Sequence, residues 1–168
     1  MNKNENMFSN LPIFLGKIQK QKLKAQKNKG LTMAKFEMER KNVLDLNLVV
    51  GVDCSGSISQ EMFKSFMAQV NQIKGMSRIK VVEVSDIIEA VYDFTRPRTG
   101  IVRLKGGGGN GEHLFFPFAK KMKPDAILYM TDGYCTSARN PNIPTAWILT
   151  KAGKKPYDWG EVVSHLPN

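Results

Sequence analysis

The chain has 168 residues, 42% of them apolar and 9% aromatic, enough for one domain with a buried core; no run approaches the roughly 20 apolar residues that span a bilayer. Its 25 Lys+Arg against 15 Asp+Glu give a net charge of +10. Two cysteines, Cys54 and Cys135, make neither a disulfide framework nor, without histidine partners, a zinc site, so a reduced, cytoplasmic setting with no secretory signal is expected.

The charge is concentrated at the start. Residues 1–41 hold ten basic groups and three acids, a balance of +7, whereas the other 127 residues hold 15 and 12. This divides the chain into a basic N-terminal arm (1–42) and a nearly balanced domain (43–168). Within the arm, Leu11, Phe14, Leu15 and Ile18 recur at i, i+3, i+4, i+7 and predict one apolar helix face. The polar stretch after it carries Lys20, Lys22, Lys24, Lys27 and Lys29 up to the breaker Gly30. Those lysines are candidate partner contacts. They would release counterions from nucleic-acid phosphates, but with few aromatics among them they offer little for base stacking.

The domain opens with Val43–Val52, an aliphatic and β-branched run that suits a strand buried on both faces and ends at Asp53. Residues 59–74 place Met62, Phe63, Phe66, Met67, Val70 and Ile73 on one helical face. Ser59 is the expected N-cap, Ile58 and Phe63 the staple, and Gly75 the stop. Strands are expected at 79–84, at 88–94 (an edge strand by its alternation) and at 101–104, followed by the run Gly106–Gly109. A helix over 114–122, a buried strand over 126–130 and a last central strand over 145–150 complete the pattern. Alternating strands and helices predict an α/β fold with a Rossmann-like, mostly parallel central sheet flanked by helices.

Three motifs fall at C-terminal strand ends, where open α/β sheets form their ligand crevice. In Asp53-Cys-Ser-Gly-Ser57 one carboxylate and two hydroxyls alternate, so an extended turn can converge them. Thr131-Asp132-Gly133 adds a hydroxyl and a carboxylate. The glycine run ends at Asn110, which presents one amide oxygen beside a closely approaching backbone. A cluster of hard oxygens with few carboxylates suits Mg²⁺ or Mn²⁺.

Together these motifs resemble the von Willebrand factor A fold with its metal-ion-dependent adhesion site, in the form found in the bacterial and phage VWA-like branch. The supporting residues are Asp53, Ser55 and Ser57, the glycines 106–109, Thr131-Asp132-Gly133 and Pro144-Thr-Ala-Trp147, over roughly residues 45–165. The resemblance implies that Asp53, Ser55, Ser57, Asn110 and Asp132 hold Mg²⁺ (or Mn²⁺ or Ca²⁺), with one coordination position left for a partner's acidic side chain. It further implies an adaptor role, with a MoxR-type AAA+ ATPase as the partner class, in a bacterial or phage-infected cell. One departure stands out: the pattern's loop Thr and the Asp after it are Asn110 and Gly111 here, which predicts a weaker metal site.

Enzyme readings find less support, and no catalytic residue is assigned. Asp53-Cys-Ser-Gly lacks the first glycine of a nucleophile elbow, and no Gly-Lys-Ser/Thr follows the glycine run. A metal-assisted phosphohydrolase built on Asp53, Asp86 and Asp132 is the residual enzyme alternative, and nucleic-acid binding through the arm is the other. Glu112 and His113 are expected at a solvated helix start, His165 in a polar tail, and the cysteines as small buried packing residues.

Overall fold

The computed structural model describes residues 10–28, 46–75, 77–96, 109–135 and 137–166. The expected strand at 101–104, the glycines 106–108, Gly30 and Lys29 lie outside them. The elements are α1 (Leu11–Lys27), β1 (Leu46–Asp53), α2 (Gln60–Ile73), β2 (Ser77–Val84), β3 (Ile88–Asp93), α3 (Glu112–Lys121), β4 (Ala126–Thr131), β5 (Thr145–Leu149) and β6 (Glu161–His165).

The six strands form one sheet in the order β3-β2-β1-β4-β5-β6. All neighbours are parallel except β2 and β3; β3 lies at the edge, as its alternation predicts, and runs antiparallel. The continuous apolar runs of β1 and β4 occupy the centre, where both faces of the sheet are covered.

On one face, Val50, Val52, Val81, Leu128 and Ile148 pack with the apolar stripe of α2, and Leu11, Phe14, Leu15 and Ile18 of α1 join the same core. Phe14 alone buries on the order of 150–250 Å² of apolar surface there. The Ser59 hydroxyl caps α2 by accepting from the Met62 amide at 3.2 Å, and Ile58 and Phe63 are both buried beside the cap. The other face is aromatic. Phe115 and Phe116 of α3 meet Tyr129 and Trp147, and Trp147 is flanked by Tyr157 and Trp159 stacked on each other at 4.9 Å. Gly51 of β1 makes room for them, since a Cβ there would lie 2.4 Å from Tyr129 and 2.6 Å from Phe115.

Two expectations need correction. His165 does not sit in a tail: it ends β6, a sixth strand paired to β5, although its own side chain is exposed. Glu112 is not solvated; it is 1% exposed, while His113 beside it is exposed as expected.

α1 runs past the strand starts rather than away from the domain. Lys17 Nζ meets Glu161, the first residue of β6, at 3.3 Å, and Lys22 Nζ meets Asp125, just before β4, at 2.9 Å. Asp125 also accepts from the Asn47 amide near the start of β1. The helix therefore crosses the edge opposite the strand ends at which Asp53 and Asp132 lie.

Candidate functional site

Because β1 and β4 are adjacent and parallel, their last residues emerge side by side. Asp53 ends β1, and Thr131 ends β4 with Asp132 next in sequence. Asp53 is 2% exposed and both its oxygens are engaged: Oδ1 accepts from the Ser55 amide at 2.8 Å and Oδ2 from the Thr131 hydroxyl at 2.7 Å. The Thr131 Oγ1 in turn accepts from the Gly133 amide at 3.1 Å. Thr131 thus positions the carboxylate, a role that its spacing in sequence, 78 residues from Asp53, does not announce.

The chain after β1 turns so that the Ser55 and Ser57 hydroxyls lie 3.1 Å apart, Ser55 buried and Ser57 exposed. Asp132, 8% exposed, accepts from the Tyr134 amide at 3.1 Å through Oδ1. Asn110 reaches the same turn from the other side, its Nδ2 donating to the Tyr134 carbonyl. Tyr134 is held at both backbone groups and leaves its ring 64% exposed beside the carboxylates. The structure therefore links Asp53, Ser55 and Thr131 directly, pairs Ser55 with Ser57, and joins Asn110 to Asp132 through Tyr134. Asp86 is held instead by the Ser85 hydroxyl, which also donates to Glu89, and no hydrogen bond ties it to Asp53.

Electrostatics reinforce the geometry. Burial raises the Asp53 carboxyl above its ordinary value against the pull of its hydrogen bonds, and the negative charge of Asp132 adds to the rise. The flanking thiols are buried, and burial lifts both above the usual thiol range, Cys135 to about 12. Neither is poised as a nucleophile.

Among the described residues no group of three or more His, Cys, Asp and Glu gathers to hold a metal. The donors here are of another kind: two carboxylates, the serine hydroxyls and an amide. Two cis ligands of an octahedral ion at 2.0–2.1 Å stand about 3 Å apart, which matches the separation of the Ser55 and Ser57 hydroxyl oxygens. The donor set fits a hard divalent cation.

Glu112, at the start of α3, is a site residue that the sequence conceals. Its Oε1 accepts from the Ser137 amide at 3.1 Å and the Ser137 hydroxyl at 2.9 Å, with the Tyr157 hydroxyl at 3.4 Å. It ties down the segment that follows Tyr134. On the arm, Lys20, Lys24 and Lys27 are exposed and Lys22 is half-buried in its ion pair.

In comparison with known families, the model described as VWA-like domain (DUF2201) matches residues 48–165. None of the curated proteins matches the chain.

Proposed function

This chain belongs to the VWA-like domain (DUF2201) family, which suggests a protein-interaction module, and from that premise we propose that it recognises a partner protein through a divalent cation at the shared end of β1 and β4. Ser55, Ser57 and Asn110 supply neutral oxygens, and Asp53 and Asp132 supply negative charge directly or through water. An ion held there, Mg²⁺ or else Mn²⁺ or Ca²⁺, keeps much of its positive charge and can accept a carboxylate from another molecule. Thr131 and the Ser55 amide fix Asp53, and the exposed Tyr134 ring provides an apolar contact next to the charge. A MoxR-type AAA+ ATPase is the partner class that the resemblance implies.

The observation that carries this reading is the pair of hydroxyls 3.1 Å apart beside two buried carboxylates. The test is thermal denaturation with and without Mg²⁺. At tenfold excess over its Kd, a bound ion should raise Tm by about 3–6 °C for a chain of this size. Asp53→Asn should abolish that shift. The stability of the cation-free protein should also depend on pH, because the native state disfavours the charged form of this carboxyl. The linkage has a definite sign: with the folded pKa raised, the stabilising contribution is complete below pH 3.8 and is lost as pH climbs through the folded value. A wild-type chain whose Tm and partner capture are the same in Mg²⁺ and EDTA overturns the proposal.

A further inference from the structure

The parallel sheet gathers unspent positive charge at the edge where its strands begin. α1 crosses the starts of β4 and β6, and the last turn of α3 points to the same edge because it leads into β4. Three acids there are already engaged, Glu161 with Lys17, Asp125 with Lys22, and Asp93, at the end of antiparallel β3, with Lys80, while Asp158 just before β6 is exposed. By contrast, the side chains of Lys20, Lys24 and Lys27 on α1, of Lys120 and Lys121 in the last turn of α3 and of Lys123 just after it make no hydrogen bond or ion pair among the described residues. Lys20, Lys24 and Lys27 share one outward face at i, i+4, i+7, a row about 10 Å long.

We propose that this edge binds the phosphate backbone of double-stranded nucleic acid without reading its sequence. A duplex carries one charge per about 1.7 Å of its axis, so a row of lysines finds phosphates in any register. An acidic protein surface would have to match the row in spacing. Lipid is a poor fit, since the apolar face of α1 (Leu11, Phe14, Leu15, Ile18) is already spent in the core and the helix leaves a single large apolar side chain, Ile13, well exposed to enter a bilayer. Single strands are disfavoured too: they call for exposed aromatic rings, and among the described residues the strongly exposed aromatic, Tyr134, lies at the opposite edge.

The experiment measures anisotropy of a short labelled DNA duplex with the full chain over a range of salt. Binding should weaken steeply as salt rises. Replacing Lys20, Lys24 and Lys27 together by Gln should weaken binding at least about tenfold and flatten the log–log salt slope by about 2–3. The corresponding triple change at Lys120, Lys121 and Lys123 provides a second arm, and circular dichroism checks that both variants fold. Asp53→Asn and EDTA should leave duplex binding unchanged, so this proposal and the cation proposal can fail separately. Weakening by either triple variant supports the assignment. It is overturned if the wild type binds no duplex at low salt, if neither triple variant weakens binding, or if a Glu-rich peptide or phosphatidylserine vesicles compete better than the duplex does.

Discussion

Cys54 follows Asp53 and Cys135 lies three residues past Asp132, yet both thiols are buried and shifted away from reactivity. Burial is the leading cause; negative charge adds to it, from Glu83 and Asp53 at Cys54 and from Glu112 and Asp53 at Cys135. The native protein should therefore resist a thiol reagent such as DTNB at pH 8 and release two equivalents once unfolded. Stability should follow the same groups. Their contribution is complete below the ordinary thiol value of 9.0 and declines above it, as the unfolded chain ionises while the native thiols stay neutral. Urea titrations from pH 7 to 10 would show it. Gly111 poses a steric question at the same scale. A Cβ there would lie 1.8 Å from the Ser85 carbonyl oxygen, so restoring the acid of the VWA-like loop by Gly111→Asp should cost at least about 1–3 kcal/mol in chemical denaturation and add no cation affinity. Loop and neighbour are fitted to each other here, and the departure at this position is a packing feature.

Among the elements, α1 changes most between sequence and structure. Its apolar spacing predicts a helix face, and its lysines suggest a solvated arm. The apolar face is present and packs into the core of the domain, and the exposed lysines lie on the other side of the same 17 residues. Leu15 is fully buried in the core shared with α2. Leu15→Ala should therefore destabilise the protein by about 2–5 kcal/mol. The same loss should appear in far-UV circular dichroism and in tryptophan fluorescence, although Trp147 and Trp159 lie across the sheet. Separate transitions would mean that α1 unfolds on its own. Ser59 bears a smaller load at the head of α2, where removal of the capping hydroxyl by Ser59→Ala should cost about 1 kcal/mol in the same assay.

For the whole molecule, what the sequence revealed and what it hid follow from the range of the interactions. β1, β4 and the capped α2 are legible because burial on both faces and helical periodicity are local patterns. The Asp53–Ser57 stretch is legible because its donors lie within five residues. β6 escapes notice because Glu161, Ser164 and His165 make a short edge strand look like polar chain, and only its pairing with β5 defines it. Glu112 reads as solvated because the groups that hold it, Ser137 and Tyr157, are 25 and 45 residues away. The bond from Thr131 to Asp53 is hidden for the same reason, although the adjacency of β1 and β4 makes it inevitable once the sheet forms.

The nearly uniform direction of the strands has one more effect. It brings Lys151, Lys154 and Lys155, just past β5, to the same edge as Asp53 and Asp132, with the Lys154 amide donating to the Asp132 carbonyl at 3.1 Å, so that edge carries both signs of charge. In dilute salt an anionic group approaching Asp53 would meet the field of these exposed lysines first. That attraction would be confined to the immediate neighbourhood of the site once ionic strength shortens the Debye length to about 8 Å.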